Sequence, residues 1–349
     1  MKYAPFVVPT LCRSEHFIRL MESLKKNSWA CYTDVIVSVD FPPSEKYRKG
    51  WQEICDYLDN GDFSYFKKLV VFKQERNLGV GNNTNFLRNY VRQKYDRWLQ
   101  SDDDCEFSPN FLEYMDKCMD AFEDDPDVVA VTGYSYPIGW NTSAGATCMM
   151  QQFNVATWGL GRWVKKQDPI SMYIKSGKML DDAQMVIRTG RHKKMISRCY
   201  VQYFNQAASD RNGMVKGFMI RMTDIALRAY LACQDKYCIT PIHSLVRNNG
   251  FDGSGLYCHK PNVVDNTKAG TYDYQNQPID ESEHFDIVLN DPKLLEENRR
   301  KLDKFDKVSG IVILYTKFKV FIIRCFGVKF ARNLDRISVS VLKALKLKK

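Results

Sequence analysis

The sequence predicts an α/β fold, with a mostly parallel central sheet flanked by helices and a basic helical appendage at the C-terminus. Three observations predict it. Over the first 135 positions short apolar runs alternate with helical patterns of ten or more residues, which is the rhythm of βαβ units. Three consecutive carboxylates, Asp102, Asp103 and Asp104, close one of those apolar runs. From position 307 onward eleven Lys or Arg residues face a single acid, Asp335.

In order, Phe6, Val7, Val8 and Pro9 read as a first strand, and 14–26 as an amphipathic helix opened by Ser14. A second strand covers 34–40 and a helix 44–58, followed by a strand over 69–72 and a helix over 82–95. The fourth strand, 97–101, carries the acids at its end. The next helix, 109–122, has Ser108 as a good cap and Pro109 at its first position, where a missing N–H costs nothing. A fifth strand covers 127–132.

Adjacent carboxylates repel, so a run of three stabilises a fold only if a cation neutralises it, and a hard divalent metal is the natural partner. The end of a parallel strand is also where open α/β sheets bind ligands. The other reading is a solvated acidic turn ahead of the 109–122 helix. Between the third strand and third helix lies Arg76-Asn77-Leu78-Gly79-Val80-Gly81-Asn82-Asn83. Its glycines let backbone amides approach a ligand at a helix N-terminus. It is neither a dinucleotide fingerprint, since the third glycine is absent, nor a P-loop, since no Gly-Lys-Ser/Thr follows.

Thr10 and Arg13 after the first strand, Val37-Ser38-Val39-Asp40, the Asn77 to Asn82 loop and Asp102-Asp103-Asp104 followed by Ser108-Pro109-Asn110-Phe111-Leu112 resemble, in that order, a GT-A-fold glycosyltransferase. Thr157-Trp158-Gly159-Leu160-Gly161-Arg162-Trp163 and the segment 244–255 look like parts of bacterial family-2-like glycosyltransferases of surface-polysaccharide clusters. The resemblance covers about residues 4–260. It implies a Rossmann-like GT-A sheet whose nucleotide-sugar half is 1–135 and whose acceptor half is 136–300, with 301–349 as basic amphipathic helices.

The activity so implied is metal-dependent, inverting transfer of a hexosyl or N-acetylhexosaminyl group from a nucleotide sugar, UDP-linked, to a saccharide or lipid-linked saccharide. A sugar nucleotide already has a good leaving group, so catalysis consists of stabilising the departing diphosphate and removing the acceptor proton. By the resemblance, Asp102 and Asp103 contact the nucleoside or ribose, and Asp104 ligates Mn²⁺ or Mg²⁺, with Asp102 and His259 as further candidate ligands. Thr10, Arg13 and Asp40 stand near the base, and Asn77, Gly79, Gly81 and Asn82 line the same pocket. Trp158 and Trp163 offer a sugar-stacking wall. The base is Asp224, with Asp181 and Asp182 as alternatives; Phe218 stands where the related segment usually has tryptophan. Asp252 or His259 could close over the diphosphate from a glycine-rich loop. Plain structural roles stand beside these: a strand-end turn acid for Asp40, core filling for Trp158, a surface histidine for His259. Competing activities are nucleotidyl transfer, which expects a glycine-rich basic loop where Thr10-Leu11-Cys12-Arg13-Ser14 has no glycine, and an inactive, membrane-tethered sugar-binding scaffold.

Of 349 residues 44% are hydrophobic and 26% charged, which describes a globular protein. The net charge of +10 resides entirely in residues 307–349, so residues 1–306 are close to neutral and nucleic acid is not expected as a partner. Eleven cysteines, scattered at apolar positions such as Cys105, Cys118 and Cys233, read as buried thiols of a reducing compartment. Met1-Lys2-Tyr3 runs straight into the first strand, so a cytoplasmic location is expected. Lys317, Lys319 and Arg324 interrupt the apolar run over 309–328, which should therefore not span a bilayer. Phe330, Leu334, Ile337, Val341 and Leu345 continue at helical spacing, as in a helix lying on the anionic inner face of the cell membrane or packing against a domain or a second subunit.

Overall fold

The computed structural model describes residues 1–152, 155–175, 234–255 and 276–305, with single positions in 227–231 and 314–334. The chain divides into two compact units, one of residues 1–167 and 237–301, the other of 168–236 and 302–349.

The first unit opens with β1 (Phe6–Thr10), α1 (Ser14–Lys25), β2 (Asp34–Val39), α2 (Arg48–Asn60), β3 (Lys68–Lys73), α3 (Val80–Arg92) and β4 (Arg97–Gln100). It continues through β5 (Cys105–Phe107), α4 (Phe111–Ala121), β6 (Val128–Thr132), β7 (Cys148–Gln151) and β8 (Leu160–Trp163). Helix α5 (Val164–Lys175) follows, and β9 (Tyr237–Pro241), β10 (Val246–Asn248) and α6 (Leu295–Phe305) complete the described elements. Eight strands form one sheet in the order β3-β2-β1-β4-β8-β6-β9-β7, and β10 pairs with β5 in a second, two-stranded sheet. Parallel pairing joins β3, β2, β1 and β4. β8 lies antiparallel between β4 and β6, β9 is parallel to β6, and β7 reverses again. Six strands thus share one direction, and the core is the alternating β/α, Rossmann-like GT-A arrangement. The described positions of 314–334 are helical and add no strand to it.

The inner strands read as unbroken apolar runs because both faces of the sheet are covered. Phe6, Val8, Val35, Val37 and Val39 point into the larger cluster with Phe17, Leu20 and Leu24 of α1 and Leu112 and Met115 of α4. The alternate residues Val7 and Ile36 pack with Leu87 and Val91 of α3 and with Trp98. Arg97, buried at the start of β4, is paired with Asp120 and Glu123, each at 2.5 Å.

Three local expectations are corrected. α4 begins at Phe111 and not at Pro109, because the Pro109 carbonyl accepts the Ser28 N–H at 3.0 Å and is thereby held in the preceding turn. α3 begins at Val80, two residues early, because Gly79 at φ +76° turns the chain immediately before it. The 44–58 helix splits into a 3₁₀ turn over Glu45–Tyr47 and α2. Cys105 and Cys118 are buried as expected, whereas Cys31 and Cys325 are exposed and Cys233 lies outside the described residues. Among the described residues no helix is long and apolar enough to cross a membrane.

Asp116 of α4 is fully buried. Its Oδ1 accepts the Ala4 N–H at 2.9 Å, while Oδ2 has no hydrogen-bond partner. Burial pushes its carboxyl up to about 7, against the pull of the Ala4 N–H and Arg97. The folded state therefore keeps a proton that the unfolded chain has released, and stability falls as pH rises from about 4 to about 7. Asp116→Asn keeps the acceptor for Ala4 and removes the ionisation. Thermal melts should show the variant about 3 °C more stable than wild type at pH 8, with the gap narrowing towards pH 4.

Candidate functional site

β1 and β4 are parallel neighbours, with Phe6 opposite Leu99 and Val7 opposite Gln100. Their C-terminal ends therefore emerge on one edge. Thr10 ends β1 and Arg13 follows, while Ser101 to Asp104 follow β4. The Thr10 hydroxyl donates to Asp103 Oδ2 at 2.8 Å. The Arg13 guanidinium spans both acids, donating to Asp104 Oδ2 at 2.8 Å and to Asp103 Oδ1. Asp103 and Asp104 are only 6% and 9% exposed, which excludes a solvated acidic turn. Burial raises the Asp103 carboxyl above its ordinary range, with Asp104 adding to the shift and Arg13 opposing it. For Arg13 the order is reversed in effect: burial works against its charge, but the two carboxylates outweigh it and hold the guanidinium protonated.

A third strand end closes the cluster. β10 runs antiparallel to β5 with Asn248 opposite Cys105. This lets the Asn249 N–H donate to the Asp104 carbonyl at 2.8 Å and Asn248 Nδ2 to Asp104 Oδ1 at 3.3 Å. Gly250, whose N–H donates to Asn248 Oδ1 at 2.7 Å, lies so close that a Cβ there would overlap Asp104 Oδ2. Beyond it the Phe251 ring meets Trp158 edge-on at 5.9 Å, and Asp252 Oδ2 accepts from His16 Nε2 on α1 at 2.8 Å.

Asp40 organises the neighbouring loop. Its carboxylate accepts the N–H groups of Phe41, Leu78 and Gly79 at 3.0, 2.8 and 2.9 Å, and Asn77 Nδ2 at 3.3 Å. The Asp40 N–H donates to the Thr10 carbonyl at 2.9 Å, so this loop sits beside the acidic cluster. Asn82 Nδ2 donates to the Leu78 carbonyl at 2.9 Å, and Gly81 lies in the first turn of α3. Trp158 packs edge-on against Tyr134 at 4.8 Å, and the next residue, Gly159, donates its N–H to Ser101 Oγ at 3.2 Å. Trp163 is no sugar wall: it is buried in the core, where its Nε1 donates to the Met119 carbonyl at 3.2 Å. Asp181, Asp182, Asp224 and His259 lie outside the described residues.

Sequence reasoning named the 244–255 segment without assigning Asn248 or Gly250, and it passed over Arg88 and His16. Arg88 of α3 donates from Nε to Gln100 Oε1 at 2.8 Å, and burial pushes it down to about 10 while the charge of Asp102 opposes the shift. Its signal was a lone arginine two turns into a helix facing a sheet, which spacing cannot separate from an exposed one.

Asp102 and Asp104 are carboxylates, the donor type a hard divalent cation takes, although Asp104 Oδ2 already accepts from Arg13 and has Gly250 packed beside it. Among the described residues no group of three or more His, Cys, Asp or Glu forms a ready shell. A cation held by one or two carboxylates and completed by substrate phosphates needs none.

The model for glycosyl transferase family 2 matches residues 6–183, just over half of the chain and including every strand-end segment described above up to Trp158. The chain belongs to that family. No curated protein is a significant match to this family 2 chain. Among solved structures it is similar to TarS of S. aureus, at 18% identity over 46% of this chain and 28% of that one, with a TM-score of 0.31. It is also similar to the mannosyltransferase PcManGT from Pyrobaculum calidifontis, solved with GDP-Man and Mn²⁺, at 10% identity over 66% and 74% of the two chains and a TM-score of 0.36. A third likeness is a cytidylyltransferase from Leptospira borgpetersenii serovar Hardjo-bovis (strain JB197), at 10% identity over 49% and 65% and a TM-score of 0.28. The chain spans little more than a quarter of the length of TarS. At these scores the three likenesses bear on neither the activity nor the substrate of this chain.

Arg13→Met would leave two largely buried carboxylates without their cation. Urea unfolding at pH 7 should show a loss of about 3 kcal/mol, the scale for removing one partner of a buried pair. The deficit should shrink as pH falls and Asp103 takes up a proton.

Proposed function

We propose that this family 2 protein transfers a hexosyl or N-acetylhexosaminyl group from a nucleotide sugar, a UDP sugar first among the candidates, to a saccharide or lipid-linked saccharide, with inversion. The observation that carries the reading is the Asp103–Asp104 pair at the end of β4, held by Thr10 and Arg13 and abutted by Gly250. Residues 1–135 serve the donor and 136–300 the acceptor. Surface-polysaccharide assembly in a bacterial cytoplasm is the setting proposed for this reaction.

The reading gives each residue a role. Asp102 and Asp103 address the ribose, and Asp104 with Asp102 would hold Mn²⁺ or Mg²⁺. That ion, when bound, supplies positive charge to the diphosphate leaving group. The Asp40-tied loop of Asn77, Gly79, Gly81 and Asn82 presents backbone and amide groups at the N-terminus of α3 for the nucleoside. Arg13 keeps the carboxylates from repelling one another and fixes their direction. Trp158, rigid against Tyr134, borders the sugar. Asp224 is the proposed base, with Asp181 and Asp182 as alternatives and His259 as a further ligand.

Isothermal titration with a panel of nucleoside diphosphates tests this. UDP should bind more tightly with Mn²⁺ than without, and Asp104→Ala should abolish that gain, a loss larger than the roughly tenfold typical of outer-shell partners. Divalent-independent binding would remove the metal assignment, and absence of any nucleotide binding would favour a sugar-binding scaffold.

The tail is proposed to dock on an anionic membrane surface. Leu314, Phe318 and Phe321 are 69%, 50% and 59% exposed and follow one another at helical spacing, and Phe326, Phe330 and Leu334 are exposed as well. This apolar row belongs to the segment that carries the whole net charge of +10. Like charges oppose pairing of two such tails, whereas anionic headgroups over hydrocarbon match both properties. The full-length chain should co-sediment with phosphatidylglycerol vesicles and not with phosphatidylcholine vesicles, and binding should weaken as salt shortens the reach of the charges. Salt-independent self-association, seen by ultracentrifugation, would indicate a dimer interface instead.

A further inference from the structure

We propose that His16 is a positioning residue for Asp104, acting through the 248–254 loop; this rests on the reading of Asp104 as a donor-site carboxylate. The loop is tied to Asp104 at its start. Asn249 and Asn248 donate to the Asp104 carbonyl and Oδ1, and Gly250 lies in contact distance of Oδ2, so a displacement of the loop displaces that carboxylate or uncovers it. At its far end the loop is tied to α1. His16 Nε2 donates to Asp252 Oδ2 at 2.8 Å, Ser254 Oγ lies 3.3 Å from the same nitrogen, and Ser254 donates its N–H and hydroxyl to Asp252 Oδ1 at 2.8 and 2.7 Å. The aromatic contact of Phe251 with Trp158 lies between the two ties.

His16 is an expensive residue for this position if packing were its only task. It is 8% exposed on the face of α1 that also buries Phe17, Leu20 and Leu24, and its Nδ1 is buried without a hydrogen-bond partner. An apolar side chain would fill the place without an unsatisfied nitrogen. The bond that offsets this cost is the one to Asp252, whose partner carboxylate is 32% exposed and 236 positions away in sequence. Closing so long a loop for one polar contact is useful when the position of the loop matters.

The test compares His16→Leu, His16→Gln, Asp252→Ala, which removes the acceptor, and the His16→Leu/Asp252→Ala double variant in the full-length chain. His16→Leu should raise amide hydrogen exchange across 248–254 while the melting temperature stays near wild type, and should weaken UDP binding in Mn²⁺ by about tenfold, the scale of a hydrogen bond to a charged group. His16→Gln, which keeps an N–H donor, should recover most of both. The double variant should lose no more than the worse single one, since both remove the same contact. Unchanged exchange in His16→Leu, or full additivity in the double variant, would overturn the proposal. If wild type binds no nucleoside diphosphate, the donor-site reading fails, and the exchange data still decide whether His16 holds the loop.

Discussion

The Arg13 guanidinium, shared between Asp103 and Asp104, is the interaction on which the site depends. Two carboxylates adjacent in sequence and almost removed from water cannot both ionise without a compensating charge. Arg13 provides it from the neighbouring strand end, with the Thr10 hydroxyl occupying one more oxygen. One cation for three consecutive acids leaves the cluster with spare negative charge even after Arg88 on α3 is counted. That formal excess lies at the edge of the sheet where strands β1, β2 and β4 all end, which is why a cation enters the proposed function there. Adjacent, nearly buried acids cost stability unless they are neutralised, and that cost is the physical ground of the ligand-binding proposal.

What holds Arg13 and the acids in register is the parallel pairing of β1 with β4. Apolar side chains on both faces of these strands, Phe6 and Val8 on one and Val7 on the other, lock each strand between helices. A slip of one residue would exchange the two faces, so the depth at which Thr10 and Asp103 emerge is set by burial far from the site. The same edge is completed by elements late in the chain. β8 enters the sheet between β4 and β6, bringing Trp158 and Gly159 beside Ser101, and β10 pairs with β5 to bring Asn248 and Gly250 onto Asp104.

Asp40 illustrates how two roles combine in one residue. Its carboxylate accepts four N–H groups of its own strand end and the Asn77 to Gly79 loop, which is the behaviour of a turn acid. By doing so it fixes the loop at the N-terminus of α3, next to Thr10. In the proposed function that backbone edge faces the nucleoside, and the Asp40 side chain contributes by organising it.

Short apolar runs and period-3.6 patterns made the first four strands, their helices and the acidic strand end legible in the sequence, because each depends on residues close together in the chain. The acids, Thr10, Arg13 and the glycine loop were legible for the same reason, since strand ends in a parallel sheet fall on a common edge. The placement of β7, β8, β9 and β10 was not legible. Short strands such as Leu160–Trp163 carry little periodicity, and their partners lie tens to more than a hundred positions away. Nor could sequence show that Arg13 neutralises the acids, that Gly250 abuts Asp104, or that His16 reaches Asp252. Local chain chemistry determined which elements form and which residues can hold charge. Which of those residues meet was decided by tertiary structure, because pairing across the sheet is driven by burial of faces that a linear pattern describes only one at a time.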